Sequence, residues 1–489
     1  MSLFLLGTPV FAQGGPGGGG GPGGGNQLPD IVAPTENPIT EEKRILGKLL
    51  FWEEQLSSDN STACGSCHLP SFGGTDRRSA AHPGPDNVFN TDDDVVGSRG
   101  VRRSGSDNER VSDPIFGFAP QVTPRNSMSY FGMTAYASEL FWDGRATDEF
   151  VDPQTGQVAI VTGGALESQS VGPILSSLEM AKDGRTWEDV IAKLEASNPM
   201  ALATDLPSDM AAAIAGGEDY PALFSAAFGD SEITARRIAF AIATYERTLN
   251  PDETPWDLFV AGNQNALTAQ QRRGWELFRD ETPCDQCHRP PEFTDFNYHN
   301  IGLRPAGEDL GRQSISGQNP DAGDFKTPSL RNVGLKTRQM HVGWVTDTTD
   351  ALNFYNAGTM ATGHIQFTQD QDRINIGNGQ SIGYDELSIP ELTEEGETFR
   401  AAIIDFIENG LTDPRVAAET FPFDRPTLRA AQGLCDDGLD NDGNGAIDYP
   451  DDPECSSATD NSEGGDPTLL FEDGFESGDT AIWSSAVGI

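Results

Sequence analysis

The apolar positions of this chain gather into short runs of helical period, separated by long stretches rich in Gly, Asp and Pro. Residues 40 to 53 place Ile45, Leu46, Leu49 and Leu50 on one side of a helix, with Thr40 positioned to cap its start. Residues 231 to 249 keep the period through Ile233, Ile238, Ile242, Tyr245 and Leu249, which predicts a packed helix. Further helices are predicted over 268 to 279 and over 397 to 410, the latter through Phe399, Ile403, Phe406 and Ile407. Strand-like alternation is scarce, and 70 to 120 reads as loop, so the expected core is mainly α. No apolar run approaches the ~20 residues that a membrane span needs.

Two of these helices belong to a repeat. Gly47-Lys48-Leu49-Leu50-Phe51 precedes Cys64-Gly65-Ser66-Cys67-His68, and Gly274-Trp275-Glu276-Leu277-Phe278 precedes Cys284-Asp285-Gln286-Cys287-His288. Each is G-x-x-L-F followed by C-x-x-C-H. Two thiols at this spacing can each add to one vinyl group of the same porphyrin, and the adjacent His then reaches the iron. A zinc site would gather four ligands, and a thioredoxin-like pair needs no following His. The chain therefore reads as two cytochrome c-like domains in tandem, each with one covalent haem c. Cys64, Cys67, Cys284 and Cys287 would form the thioethers, with His68 and His288 as axial ligands.

Composition adds the surroundings. At 489 residues there is room for several domains. The expected division is 39 to 250 for the N-terminal and 251 to 420 for the C-terminal cytochrome unit. Before them, residues 1 to 12 resemble the end of a signal-peptide h-region, cleaved after Ala12, against the alternative of a plain apolar tail; 13 to 38 is a Gly/Pro tether. Of the six cysteines, Cys435 and Cys455 remain as a disulfide pair. Covalent haem and a disulfide together indicate a periplasmic, secreted or cell-surface protein. A formal charge of −44 argues against nucleic acid or anionic membrane as partner. Such a surface serves solubility, or steers a basic electron donor.

Beyond the repeat, several blocks occur in order: Arg125-Asn126, Phe141-Trp142-Asp143-Gly144-Arg145, Gln169 to Met180, Tyr245 to Leu249, His299-Asn300-Ile301-Gly302, Thr327 to Asn332 and Leu411 to Val416. From about Thr40 to Val416 the chain resembles the bacterial di-haem cytochrome c peroxidases and their MauG-type relatives. The resemblance implies that peroxide binds at the haem on His68, while the haem on His288 receives electrons. It implies that Trp142 relays electrons between them, and that Gln169 and Glu179 are the distal pair. A carboxylate above an open iron can take a proton from one peroxide oxygen and return it to the other. It also implies a structural calcium on Asn126, helped by carbonyls near Thr327-Pro328, and members of the family often form homodimers.

The sixth ligands depart from the peroxidase pattern. Fourteen residues after His341 the peroxidases carry a Met on the second haem; here the position holds Tyr355, as in MauG-type enzymes. Met360 is the competing ligand and Met340 a weaker one. Above the first haem His82 reads as a loop residue rather than a displaceable ligand, which leaves that iron five-coordinate. His299 and His341 read as pocket or structural residues.

Residues 421 to 469 are expected to form a small, loop-rich, disulfide-closed calcium module. Asp440, Asp442, Asn444, Asp448 and Asp451 follow calcium-loop spacing around Gly445, although Asp stands where Glu usually closes the loop. The alternative is an acidic linker. Residues 470 to 489 resemble short tails of secreted bacterial proteins. The function expected is reduction of hydrogen peroxide with electrons from a small cytochrome or copper protein. The alternatives are MauG-like oxidation of a protein or organic substrate, and electron carriage without turnover.

Overall fold

The computed structural model describes residues 27 to 357 and 394 to 429. Met360, Cys435, Cys455, the Asp440 to Asp451 loop, the first 26 residues and the C-terminal tail lie outside the described residues.

Each half is organised by one helix crossing. In the first, Thr40 caps the helix Glu41–Phe51 by accepting from the Lys43 N–H at 3.3 Å. The helix turns Leu46, Leu49, Leu50 and Phe51 inward. It crosses the helix Ala235–Arg247, itself capped by Thr234. At Gly47 the two backbones touch: a Cβ there would stand 1.9 Å from the Ala241 carbonyl oxygen and 2.9 Å from the Tyr245 Cβ. The second half repeats the device. The helix Ala269–Glu276 starts at a reciprocal Thr268–Gln271 cap and widens into a π-type turn over Leu277–Glu281. It crosses Glu394–Asp405, where a Cβ on Gly274 would stand 1.9 Å from the Ala402 oxygen and 2.7 Å from the Phe406 Cβ. The repeated G-x-x-L-F is thus a packing motif, its partner an Ala with an aromatic residue one turn later.

The first core gathers Trp52, Tyr130, Trp187, Phe224, Ile238 and Tyr245; the second gathers Trp256, Trp275, Phe278, Phe293 and Phe406. Past Asp413 the chain returns to the first core, burying Val416, Phe423 and Leu428 there, and Asp424 pairs with the buried Lys48 at 2.9 Å.

The stretch from 70 to 120 is not simply loop. Ser79–His82, Val95–Arg102 and Pro120–Val122 form a three-stranded antiparallel sheet in the order first, second, third. Gly97, Gly100, Arg99 and Arg102 blur the alternation along the second strand. Gly100 is required: a Cβ there would fall 1.9 Å from the Leu178 oxygen, so the strand can carry the Leu178–Glu179 backbone directly against it. No helix among the described residues is long and apolar enough to cross a membrane.

Replacing Gly47 or Gly274 with Ala is expected to cost about 3 kcal/mol, the upper range of core overpacking, because each methyl meets backbone rather than a movable side chain. Guanidinium unfolding of the haem-loaded protein, followed by tryptophan fluorescence, measures this. A midpoint unchanged by either substitution would show that the crossing is looser than described.

Candidate active site

Both C-x-x-C-H loops hold their histidines in the same way. His68 Nδ1 lies 3.0 Å from the Gly74 carbonyl oxygen, and His288 Nδ1 lies 3.2 Å from that of Phe293. A carbonyl can only accept, so Nδ1 carries the proton and Nε2 is left bare to bind a metal. Burial holds both imidazoles below the usual histidine range, which keeps them neutral, as ligation needs. Among the described residues Cys64, Cys67, Cys284 and Cys287 are unpaired thiols, and none is bonded to another. The residues present fit covalent haem c on each loop.

Beside His68 opens a cavity of about 630 Å³, a size that suits a large cofactor with space for a small ligand. Cys64, Cys67, Gln169, Glu179 and Trp142 share its wall, so the structure brings the sequence-predicted residues together. Gln169 sits on the helix Ala165–Ser170. That helix is pinned two residues earlier, where Glu167 accepts from Arg247 at 2.6 and 2.7 Å and from Asn37 Nδ2 at 2.8 Å, all buried. Glu179 lies in a turn, its carbonyl accepting from the Val101 N–H at 3.1 Å on the strand relieved by Gly100.

His82 corrects an expectation. It closes the strand Ser79–His82, lies edge-on to Phe116 at 5.7 Å and lines the same cavity, its Nδ1 accepting from the Gly84 N–H at 3.1 Å. The sheet pairing that places it there runs to Val95, invisible in a Gly- and Asp-rich stretch. Sequence reading also passed over Glu246, one turn beyond Ile242 on the same wall. Burial pushes its carboxyl well above the usual range, and Oε2 has no hydrogen-bond partner. A Glu within an apolar helix face was the available signal.

Trp142 stands between the halves. Its indole N–H donates to the Asn126 carbonyl at 2.8 Å, and its own carbonyl accepts from the Lys326 N–H at 2.8 Å. It also walls a second, 60 Å³ cavity shared with Thr294, Lys326 and Lys336. Its ring meets His341 edge-on at 6.0 Å, His341 stacks on Phe325 at 3.6 Å, and the Arg125 guanidinium lies 5.3 Å over Phe325. Arg125 pairs with Asp143 of the first half and Asp309 of the second, each at 2.7 Å. Asn126 itself is buried, and its amide donates to the carbonyls of Arg338 and Met340 at 3.2 and 3.1 Å. Its backbone N–H donates to the His341 carbonyl at 2.8 Å, and the Thr327 carbonyl accepts from the Thr294 hydroxyl.

Near His288, Cys287, Asp295 and His299 bring their donor atoms within 4.8 Å of one another. With Cys287 in a thioether this is the flank of the haem loop and not a separate metal centre. Tyr355, on the helix Thr348–Ala357, is half-buried beside Val342, Trp344 and Phe354.

His299 Nε2 and Asp295 are 2.8 Å apart and buried. Burial alone would raise the Asp295 carboxyl, but hydrogen bonds from His299, the Asn297 N–H and Thr327 bring it down to about 2. A depressed carboxylate stabilises above its unfolded value and loses that contribution as pH falls through the folded one. Stability should therefore decline by roughly 2 kcal/mol between about pH 4 and pH 2 on account of this pair. His299→Gln is expected to flatten this acid limb in urea titrations run across that range. Equal slopes in both proteins would remove the pair from the account.

Three comparisons place this geometry among known proteins. Residues 41–265 match the family model described as di-haem cytochrome c peroxidase. The methylamine utilization protein MauG of Methylorubrum extorquens is 31% identical over 331 residues, which cover 67% of this chain and 72% of that protein. Cytochrome c551 peroxidase of Nitrosomonas europaea is 27% identical over 302 residues, 61% of this chain and 68% of that protein. Among solved structures, a MauG-like protein associated with microbial copper homeostasis shares the fold, with a TM-score of 0.55 at 23% identity over 81% of this chain and 96% of that one.

Proposed function

The chain belongs to the di-haem cytochrome c peroxidase family, and on that premise we propose that it reduces hydrogen peroxide to water at the His68 site, with electrons entering at the His288 site. It is an oxidoreductase of a family that contains both peroxidases and MauG proteins. The observation that carries the reading is the cavity beside His68 with Gln169 and Glu179 in its wall. An electron carrier needs no such space.

Haem bound on the two loops would supply the redox chemistry and the iron against which the O–O bond breaks. The chain's own residues do the rest. Gln169 orients peroxide by hydrogen bonding. The Glu179 carboxylate takes the proton from one oxygen and returns it to the other, so that water leaves. The pinning of Gln169 by Glu167 and Arg247 fixes the separation across which that proton moves. Trp142, bonded to both halves, carries electrons between the sites, which come from a small, basic donor protein in the periplasm. The carbonyls of Arg338 and Met340 are oxygen donors of the kind calcium takes, and the Asn126 amide, which gives them its N–H groups, would turn its oxygen to the same ion.

A second reading is MauG-like oxidation of a protein or organic substrate, favoured by Tyr355 in place of a thioether. A phenolate on the second iron would favour its oxidised states.

Glu179→Gln is expected to lower kcat for peroxide by about 10²-fold or more, with haem content unchanged. Stopped-flow turnover with a reduced donor measures it, and a variant as fast as the parent would remove Glu179 as the base. Tyr355→Phe should shift the optical and EPR spectra of one haem only. If both spectra stay as they were, Tyr355 is not a ligand and the second reading loses its support.

A further inference from the structure

Behind Gly65 of the first haem loop lies a second group of oxidisable side chains. The Trp52 ring is fully buried against Gly65, between the two haem cysteines, so closely that a Cβ on Gly65 would fall 2.1 Å from its Cε3. Its indole N–H donates to the Tyr245 hydroxyl at 3.2 Å. The next residue, Glu53, is equally buried, and its Oε2 accepts from the Tyr220 hydroxyl at 2.6 Å and from the Met200 N–H at 2.7 Å. Its Oε1 accepts from the Gln55 backbone and side chain, each at 3.0 Å. Tyr220, which opens the helix Tyr220–Phe228, has no exposed surface.

We propose that Trp52, Glu53 and Tyr220 form a redox branch off the His68 site, in which Tyr220 holds an oxidising equivalent when no electron donor is at hand. One electron leaves the phenol and passes through Trp52 to the His68 site, where it fills the vacancy left by hydrogen peroxide. The phenol proton moves along the existing hydrogen bond to Glu53 Oε2. An electron arriving later from the donor, with the proton returned by Glu53, restores the phenol. The branch rests on the peroxide reading for its oxidant.

The charge balance favours this site over Trp142. Both Glu53 oxygens accept hydrogen bonds and neither donates, the pattern of a carboxylate, so the pair holds one buried negative charge. Moving the phenol proton onto it as the electron leaves makes both members neutral, and a buried ion is relieved instead of created. Burial, with Glu53 alongside, pushes the Tyr220 phenol well above its usual range, so it does not shed its proton alone. The Trp142 N–H meets only a backbone carbonyl, which cannot take up a proton, so that indole passes charge on without keeping it. Tyr130, in the cavity wall, and Tyr245, bonded to Trp52, have no carboxylate hydrogen-bonded to their hydroxyls.

The test uses the full-length di-haem protein, oxidised by peroxide without donor, freeze-quenched and examined by EPR, with and without ring-deuterated tyrosine. The expected result is a radical signal that narrows on tyrosine deuteration and is lost in Tyr220→Phe, a change of one oxygen atom. Trp52→Phe should slow its appearance. The same signal in Tyr220→Phe overturns the branch, as does its absence from a wild-type protein whose haem spectra change with peroxide. Should peroxide leave those spectra untouched, the peroxide reading has failed on its own. Flash photo-oxidation by a ruthenium dye with a sacrificial acceptor then supplies the vacancy instead, and loss of the tyrosyl signal in Tyr220→Phe still upholds the branch; a signal unchanged there, or absent from the wild type, overturns it.

Discussion

Everything in this molecule hangs on a contact that leaves no room for a side chain. Gly47 on the Ala241 carbonyl and Gly274 on the Ala402 carbonyl set the distance between the two helices that frame each half. At that distance Leu49, Leu50 and Phe51, or Leu277 and Phe278, are driven into a common core with the aromatic residue one turn beyond the Ala. The loop leaving each first helix is then short enough to hold a C-x-x-C-H turn against that core, with Gly74 or Phe293 supplying the carbonyl that orients the histidine. Backbone contact fixes the frame, the frame fixes the imidazole tautomer, and the tautomer fixes which nitrogen can meet a metal.

Two such frames are joined by a small apolar cluster of Val95 with Leu303, Val342 and Trp344, by the return of Val416 and Phe423 to the first core, and by a run of polar and aromatic contacts. Arg125 answers carboxylates from both halves, and under it Phe325, His341 and Trp142 follow one another in ring contact. Burial lowers His341 to about 3, so it stays neutral and adds no charge to the path. A stack held at one end by a doubly paired guanidinium has little freedom to slide, so the Trp142 indole keeps one place between the halves.

The frame was legible in the sequence because its determinants are local. Period, caps and a repeated pentapeptide announce the helices Glu41–Phe51, Ala235–Arg247 and Ala269–Glu276, and C-x-x-C-H announces its own chemistry. The resemblance brought Gln169, Glu179 and Trp142 together, and all three wall one cavity. What stayed hidden depends on contacts between distant segments. The sheet around Val95–Arg102 is held by backbone pairing and by two glycines, Gly97 against the Thr123 carbonyl and Gly100 against that of Leu178, so its residues show no alternation to read. His82 reaches the cavity only because that sheet exists. The return of Phe423 and Leu428 to the first core, beside an Asp424 that pairs with Lys48 across 376 residues, likewise leaves no mark in local pattern.

The two halves also show where chemistry resides in a duplicated unit. Crossing, cap and histidine orientation are common to both, so none of them can explain why one site would turn over peroxide and the other would pass electrons. The difference lies in what was packed around the first unit: a helix carrying Gln169, pinned by the buried Glu167–Arg247 pair, and a turn carrying Glu179, seated on Gly100. Arg247 ends the helix Ala235–Arg247, the same element that Gly47 packs against. The wall carrying Gln169 and Glu179 is thus built directly on the frame that holds His68, and the cost of burying the Glu167–Arg247 ion pair goes into fixing where Gln169 stands. A repeated scaffold supplies the metal's seat, and the added wall decides what the metal does.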